Sequence, residues 1–380
     1  MDKIRGIIYT DKFVFEPGTI AIDGDRISSV ETCDMTELTP EESQHYLLPG
    51  LVDIHLHGAA GCDFCDAAKE SIEVINSYEI NHGITSFCLA TMTLPIARLE
   101  EICEAARRYR LEGMRGIYLE GPFISEKRKG SQNLEYIRMP DTGLIGKLQE
   151  LSGGLVKIVT IAPEIEGAFE CIKNSKDNKL GVRFSIAHTD ADYETAIAAI
   201  DAGAVHITHL YNAMPPLLHR APGVIGAAAE REETEVELIC DGIHVHPAVV
   251  RSTFKLFGDD RIILISDSMM AAGMKDGSYT LGGQTVLVKD KKAVLKDGTI
   301  AGSVSNLYDC MLKAVSMGIP KESVVKAATY NPSRSIGIDK EYGTLESGKI
   351  ADILITGLDL GLCGVIKSGR QVFPKNADAV

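Results

Sequence analysis

The sequence has no run of about 18 uncharged apolar residues, so it offers no candidate for a membrane-spanning helix. Its first residues, MDKIRGIIYTDKF, lack the apolar stretch and the cleavage site of a signal peptide. Basic residues are scarce, because 39 Lys and Arg stand against 53 Asp and Glu and leave a net charge of −14. An acidic surface repels nucleic-acid phosphates and anionic lipids. The composition therefore predicts a partner that is neither nucleic acid nor membrane, while a local basic pocket would still accept a small anion.

A disulfide framework is missing as well. The nine cysteines are an odd number and are scattered without the regular spacing of a small disulfide-rich domain. Cys62 and Cys65 form a C-x-x-C pair, but no second pair completes a zinc site and no thioredoxin-like context surrounds them. The chain is therefore predicted to keep reduced thiols in the cytoplasm.

The middle of the chain alternates apolar, β-rich runs with amphipathic stretches. Eight runs are predicted as strands: 48–56, 84–90, 115–120, 156–162, 182–188, 205–210, 236–241 and 262–267. Helices are predicted between them, over 70–82, 96–112, 192–202 and 247–257. This alternation indicates parallel βαβ units, and near-continuous apolar strands indicate a sheet covered on both faces. Eight units over about 290 residues predict an α/β fold, a (β/α)8 TIM-like barrel, with a doubly wound open sheet as the alternative.

The two ends of the chain have a different pattern. Each consists of short apolar runs separated by turn residues, which is typical of hairpins. Neither end has enough strands for a stable sheet, and chain ends often lie close together, so we expect both ends to form one small β-sandwich domain. The predicted division assigns 1–47 and 345–380 to this domain and 48–344 to the barrel. Residues 275–302 interrupt the alternation and predict an inserted hairpin.

Residue types that bind metals stand at the ends of the apolar runs. They are His55, His57, Glu120, His188, His209 and Asp267. The active site of a (β/α)8 barrel lies at the C-terminal ends of its strands, so side chains that are distant in sequence converge there. Neutral imidazoles and carboxylates are ligands for cations such as Zn²⁺ and Fe²⁺. The sequence therefore predicts a metal-dependent hydrolase.

These candidates rest on different observations. His55 and His57 are two residues apart and so point to one side of a strand. His188 and His209 end consecutive strands, and core packing does not explain two histidines delivered to one rim. Glu120 would by itself be an ordinary turn glutamate, but a charged group at a barrel mouth needs a partner, and a metal would be one. Asp267 is either a helix N-cap or a general base beside the metal.

Basic and amide side chains follow three of the predicted strands. Asn212, Ala213 and Arg220 follow the sixth strand, and His244 follows the seventh. An anionic group such as a phosphate would suit this rim. The loop after the third strand carries three cations that are interpreted as solvated loop charges, Lys127, Arg128 and Lys129. The remaining histidines are interpreted as structural: His45, His82, His206, His219 and His246.

Several motifs together resemble the amidohydrolase superfamily over essentially the whole chain. PGLVDIHLHG at 49–58, and NPSRSIGI and GTLESGKIADILI within 331–355, are similar to superfamily signatures. LEGPF, IAHTDA, THLYNAMPP, DGIH and SDSMMAAG, in that order, are similar to the members that deacetylate amino-sugar phosphates. The resemblance implies a homodimer that hydrolyses N-acetylglucosamine 6-phosphate to glucosamine 6-phosphate and acetate. It also implies one or two divalent cations per subunit, Zn²⁺ or Fe²⁺.

The resemblance further implies roles for individual residues. Glu120, His188 and His209 would hold the principal metal, and His55 and His57 would hold a second one. Asp267 would be the catalytic acid and base. Substrate contacts would come from Ser131, Gln132, Asn212, Ala213, Arg220, His244, Ile300, Ala301 and Gly302. Arg220 would reach across a dimer interface, and Gln132 stands where some members have histidine, which leaves its part in polarising the acetyl carbonyl open.

Two alternatives remain at this point. One is another amidohydrolase, acting on N-acetylgalactosamine 6-phosphate or on a cyclic amide. The galactosamine epimer differs in one hydroxyl orientation, whereas a cyclic-amide enzyme usually carries a carboxylated lysine where this chain has Glu120. The other is a non-catalytic, metal-stabilised scaffold, which would be expected to lose Asp267 while it keeps the metal ligands.

Overall fold

The computed structural model describes residues 2–177 and 180–373. Its first four strands belong to a sheet at one side of the molecule: β1 Asp2–Tyr9, β2 Phe15–Asp23, β3 Arg26–Thr32 and β4 His45–Pro49. β1, β2 and β3 are antiparallel neighbours joined by short turns. Gly18 permits their close approach, because a Cβ atom at this position would lie 2.4 Å from the carbonyl oxygen of Glu31. Short 3₁₀ turns at Met35–Glu37 and Glu42–Gln44 lead into β4.

The central sheet consists of parallel strands, and a small hairpin formed by β6 and β7 follows its first strand. The strands of this region are β5 Leu51–Leu56, β6 Gly58–Ala59, β7 Cys62–Asp63, β8 Ile84–Thr91, β9 Met114–Phe123, β10 Val156–Ile161, β11 Arg183–Ile186, β12 His206–Ile207, β13 Glu235–Ile239 and β14 Ile262–Ile265. The eight-stranded sheet runs in chain order from β5 through β8 to β14. A doubly wound sheet would reverse its strand order at a switch point, and this sheet has no reversal.

The first and last strands of this sheet meet and close it into a barrel. The backbone N–H of Asp267, just after β14, donates to the carbonyl of His55 on β5 at 2.9 Å. Buried side chains such as Ile54, Tyr118 and Ile263 fill the interior in one apolar cluster. The predicted (β/α)8 barrel is therefore confirmed, and its C-terminal strand ends lie on one rim.

Helices pack around the barrel as its outer layer. They are α1 Lys69–Asn81, α2 Ile96–Arg108, α3 Thr142–Leu151, α4 Ala168–Asp177, α5 Tyr193–Ala202, α6 Gly223–Glu230, α7 Pro247–Phe257, α8 Leu307–Ser316, α9 Lys321–Ala328 and α10 Tyr330–Ser335. The four predicted helices correspond to α1, α2, α5 and α7. The sequence did not predict the other six helices. One of them is α6, whose residues GVIGAAAE show no polar face because most of them are buried. Within the described chain, no helix has the length and apolar character needed to cross a membrane.

The insertion after β14 covers one side of the barrel mouth. It contains three antiparallel strands, one more than the predicted hairpin: β15 Gly277–Leu281, β16 Gln284–Lys289 and β17 Lys292–Val294. Its Leu281 and Val286 pack against Met92 and Met269 from the strand ends of the barrel. The insertion is thereby held against the rim where the candidate side chains lie.

The last strands return to the sheet formed by the beginning of the chain. They are β18 Ile353–Gly357, β19 Leu362–Lys367 and β20 Arg370–Phe373. β18 pairs with β4, so both chain ends share one seven-stranded sheet, which confirms the predicted small β-domain. The exact division at residues 47 and 345 stays a prediction, and β4 runs across the first of these boundaries. Residues 374–380 of the predicted domain lie outside the described residues.

Glu79 of α1 is a buried carboxyl group that weakens the fold as pH rises. It is 1% exposed, and neither of its carboxyl oxygens has a hydrogen-bond partner among the described residues. Burial, followed by the nearby Asp53, raises the pKa of Glu79 well above its usual value. A raised pKa in the folded state means that stability present at acid pH is lost as pH rises from the unfolded pKa to the folded one.

We therefore expect Glu79→Gln to stabilise the protein at pH 8 more than at pH 5. The gain should be about 1.4 kcal/mol for each pH unit between the unfolded and folded pKa values. Urea unfolding at the two pH values measures it, with the exposed Glu70→Gln on the same helix as the control. An identical effect of Glu79→Gln at both pH values would contradict this account.

Candidate metal centre

Three of the predicted metal ligands meet at the barrel rim. Glu120 lies on β9, His188 follows β11 and His209 follows β12. Glu120 Oε1 lies 3.1 Å from Nε2 of His188 and 3.1 Å from Nε2 of His209, and the two imidazole nitrogens are themselves 3.1 Å apart. All three residues are buried. Three donor atoms so close together form a set that a single cation can bind.

His55 and His57 form a second group with the same glutamate. His57 Nε2 lies 3.4 Å from Glu120 Oε2, and His55 Nε2 lies 3.6 Å from Glu120 Oε1. The ligand atoms of His55, His57 and Glu120 lie within 4.8 Å of one another. Glu120 is thus shared by two adjacent groups of donor atoms, as the predicted pair of metal positions requires.

The hydrogen bonds around the imidazoles suit metal binding. His188 Nδ1 lies 2.9 Å from the carbonyl oxygen of Arg128, and His55 Nδ1 lies 3.0 Å from Glu237 Oε2. Each acceptor requires a proton on Nδ1, which leaves the Nε2 lone pair for a metal. His55 Nε2 is buried and has no hydrogen-bond partner within the described protein. The residues therefore fit a divalent cation.

The charges of the centre point to the same conclusion. Burial alone would raise the pKa of Glu120, but hydrogen bonds from His188 and His209 hold it well below its usual value. Burial alone would lower the pKa of His55, but carboxylates led by Glu237 raise it to about 10. The carboxylates thus stay ionised only because positive charge is close by. A bound cation supplies that charge when the imidazoles are neutral.

Asp267 lies on the same rim in a strained backbone conformation. Its φ is +49°, and those of His188 and His209 are +44° and +30°, a region that residues other than glycine rarely adopt. Its backbone N–H and carbonyl are held by His55 and Ser303, and its Oδ1 lies 3.2 Å from His57 Nε2. No helix begins directly after Asp267 among the described residues, so the N-cap interpretation of this residue is wrong.

A cavity of about 360 Å³ opens onto these side chains, a size that suits a small ligand. Six of the residues predicted to contact substrate line it: Ser131, Asn212, Ala213, His244, Ile300 and Gly302. His244 is held in place by Asp241, whose Oδ2 lies 2.7 Å from its Nδ1. Burial alone would lower the pKa of His244, but the Asp241 carboxylate raises it.

The structure places the other three predicted contacts elsewhere. Gln132 is buried beneath the cavity, where its Nε2 donates to Glu120 Oε2 at 2.5 Å and its Oε1 accepts from the Thr93 N–H at 2.7 Å. Ala301 is fully buried, and its N–H donates to Ala293 of the insertion. Arg220 lies on an exposed loop and does not line the cavity of its own chain. Gln132 therefore contacts Glu120, and its contact with a substrate stays a prediction.

Sequence reasoning missed two cations of the cavity wall. Lys127 and Arg128, interpreted as solvated loop charges, both line the cavity, although the Lys127 side chain is 79% exposed and thus solvated as interpreted. They also pair with Asp190, at 3.2 Å and 2.9 Å, which connects the loop after β9 to the loop after β11. The sequence did contain a signal for their position at the cavity. Both residues lie between Glu120 and Ser131, and a loop that joins two residues of the rim must cross the rim.

Glu237 was missed as well. It is a charged residue within the apolar run of β13, it is fully buried, and it contacts His55 and His206. His206, interpreted as structural, bonds to Glu237 on the side away from the cavity. A charge at an inward position of a barrel strand was the signal for it.

Comparisons with known proteins find similar sequences over most of the chain. A sequence profile of the amidohydrolase family matches residues 46–375. The N-acetylglucosamine-6-phosphate deacetylase of Bacillus subtilis (strain 168) is 38% identical over 387 residues, covering 98% of this chain and 97% of that protein. The N-acetylgalactosamine-6-phosphate deacetylase of Escherichia coli O157:H7 is 34% identical over 85% of this chain and 86% of its own length.

A solved structure is similar over nearly the whole chain. It is a mutant N-acetyl-D-glucosamine-6-phosphate deacetylase of Mycobacterium smegmatis in complex with N-acetyl-D-glucosamine-6-phosphate, 33% identical, with a TM-score of 0.90 over 97% of this chain and 98% of that one. The match of fold and sequence covers both the barrel and the sheet of the chain ends. The chain belongs to the amidohydrolase family.

Proposed function

We propose that this chain is a metal-dependent deacetylase that hydrolyses N-acetylglucosamine 6-phosphate to glucosamine 6-phosphate and acetate. One observation carries the proposal: a triangle of Glu120, His188 and His209 donor atoms, 3.1 Å apart, lies beside Asp267 in one cavity. Relatives with this activity match over nearly the full length.

Glu120, His188 and His209 would hold the principal cation, and His55 and His57 would hold a second one with Glu120. The ligand set of nitrogen and carboxylate oxygen suits Zn²⁺ or Fe²⁺. A cation bound there acidifies water and polarises a carbonyl group. The support is the chemistry of the donors and the two groups that share Glu120.

Asp267 would carry the proton during the reaction. Its ionised carboxylate faces the cavity, where it can accept a proton from the attacking water. Burial alone would raise the pKa of Asp267, but His57 and His55 lower it, so the group is a base at neutral pH. Asp267 would then deliver the proton to the amide nitrogen, which leaves poorly unless it is protonated. The products are an amine and acetate.

The rest of the cavity would bind the sugar and its phosphate. Lys127, Arg128 and His244 bring positive charge to the wall of a strongly acidic protein, and Asn212 adds an amide. A phosphate group binds such donors through charge-assisted hydrogen bonds. Backbone and side-chain atoms at Ser131, Ala213, Ile300 and Gly302 would complete the contacts with the sugar. The support is the position of these residues around one cavity.

Arg220 would act in the site of a second protomer of a homodimer. Its loop exposes two leucines, Leu217 and Leu218, which are 47% and 52% exposed. Exposed apolar side chains at a loop tip suit a protein interface. The Arg220 side chain, which lies beside these leucines, would then reach the cavity of the partner protomer and not the cavity of its own chain.

We expect Arg220→Ala to raise the KM for the phosphorylated substrate about 10- to 100-fold, the effect of losing a hydrogen bond to a charged group. Co-expression of Arg220→Ala with Asp267→Asn tests the partner arrangement. A mixed dimer restores one complete site, so acetate release should recover to a fraction of the wild-type rate. A mixture no more active than its two components would show that Arg220 does not act across the interface.

The N-acetylgalactosamine 6-phosphate epimer is the second candidate substrate, because a deacetylase of that name is 34% identical. Acetate release from both epimers, before and after chelation, tests the proposed function. We expect faster release from the glucosamine epimer and loss of release after chelation. No release from either substrate, with metal bound, would refute the deacetylase function.

We also propose that the enzyme acts in the cytoplasm. The support is the cysteines, all nine of which are free in the structure, including Cys62 and Cys65. Reduced thiols at these positions, measured by thiol titration of the protein from cells, are the expected state.

A further inference from the structure

A buried carboxylate beneath the metal centre joins its two groups of ligands. Glu237 Oε2 lies 3.0 Å from His55 Nδ1 and accepts the backbone N–H of His209 at 3.1 Å. Its other oxygen lies 3.0 Å from His206 Nε2. His55 belongs to one ligand group and His209 to the other, so one carboxylate contacts both across the barrel interior.

The bond to Glu237 determines which nitrogen of His55 is free. A carboxylate only accepts when it is ionised, so His55 must carry its proton on Nδ1. The His55 Nε2 lone pair is then directed at the space bounded by Glu120 Oε1 at 3.6 Å and Asp267 Oδ1 at 3.9 Å.

The His55 ring is also held on its face. It stacks on Tyr118, with ring centroids 4.2 Å apart and planes 21° apart, and Tyr118 Oη lies 2.7 Å from Thr208 Oγ1. The ring therefore has one orientation, and Nε2 has no partner within the described protein. A buried nitrogen held in this way and left without a partner points to a ligand at that position.

We propose that Glu237 is a positioning residue that orients His55 and thereby creates the cation position formed by His55, His57 and Glu120. This role of Glu237 rests on the proposed function in one respect, which is that cations bind at this rim. A carboxylate behind a metal-binding histidine fixes its tautomer and raises its basicity. The Glu237 carboxylate also accepts the backbone N–H of His209, whose φ of +30° is strained. Glu237 would therefore contribute, to a smaller extent, to the principal cation position as well.

Glu235, two residues earlier on the same strand, provides a matched control. It too is a buried carboxylate near His206, with its Oε2 3.7 Å from Nδ1, but its shortest contacts are with Arg183, at the start of β11, and with Arg334 of α10. Loss of Glu235 removes a buried charge from the same network without removing the acceptor of His55. Any effect on cation binding that is specific to Glu237 must then come from the position of His55.

The test is calorimetric titration of the metal-free full-length protein with Zn²⁺, together with metal analysis after dialysis. Wild type should bind two cations per chain, and E237M should bind the weaker one 10- to 100-fold less tightly. E237Q, which keeps one acceptor oxygen but loses the charge, should fall between the two. E235M should bind both cations as wild type does. Melting temperatures show which variants are folded.

The proposal is overturned if E237M, or E237Q should E237M not fold, binds the second cation with wild-type affinity. An equal loss in E235M would overturn it too, because the effect would then belong to the buried charges in general. A wild-type chain that binds a single cation and releases acetate at full rate refutes the role of Glu237 and leaves the deacetylase function intact. Two cations bound without any acetate release would refute the function alone.

Discussion

Replacing Asp267 with asparagine is expected to lower kcat for acetate release by about 10²- to 10⁴-fold, the range that general acid–base groups contribute. The side chain keeps its size but loses the charge that accepts a proton. Cation content should stay at the wild-type level, because the donor triangle of Glu120, His188 and His209 does not include Asp267. Initial rates and metal analysis on the same preparation measure both quantities.

Asp290→Asn, on the exposed end of the insertion, is the control for this experiment and should have wild-type kcat. A rate for Asp267→Asn equal to that of the control would refute the assignment of Asp267 as acid and base. A variant that loses its cation along with its activity would instead show that Asp267 is needed as a ligand.

The second large effect is expected for Glu120→Gln. This variant should lose the bound cations, and its kcat for acetate release should therefore fall by roughly 10³-fold or more. Glu120 is the one residue common to both groups of donor atoms. A neutral amide leaves His55, His57, His188 and His209 without the negative charge that a divalent cation requires in a buried site. Replacing a residue that hydrogen-bonds to a metal ligand costs about 10- to 100-fold in metal affinity, so loss of a shared ligand should exceed that range.

Metal content after dialysis measures this prediction, and Glu126→Gln provides a control in the exposed loop that follows β9. A melting temperature recorded without metal separates loss of the cation from loss of the fold. Glu120→Gln that retains cations with wild-type affinity would mean that the histidines alone hold them, and the proposed shared ligand would be wrong.

The barrel and the place of its site could be predicted because both depend on local patterns. Apolar runs alternate with amphipathic stretches, and a parallel sheet places every strand's C-terminal end on one side. His188 and His209 were found in this way although they end different strands. Helix α6 was not found, since an almost uniformly apolar segment has no helical periodicity to detect.

The supporting contacts could not be predicted, because they join residues from separate loops. The hydrogen bonds of Gln132 to Glu120 and Thr93 were not predicted, because their atoms meet only in the folded chain. Lys127 and Arg128 were interpreted as solvated charges, yet the cavity lies beside them. The burial and the hydrogen-bond partners of a loop residue depend on elements that are distant in sequence. The composition of the loop therefore cannot predict them.

By itself the sequence determined the class of fold, the sheet shared by the chain ends and the residue types available at the barrel mouth. Side-chain periodicity and strand-end chemistry are properties of short segments, so they can be recognised without coordinates. Only the tertiary structure decided that Glu120 is shared by two groups of donors, that Glu237 lies behind His55 and that Arg220 lies outside its own cavity. Those relations are distances between atoms of different strands and loops, and packing of the whole barrel sets them.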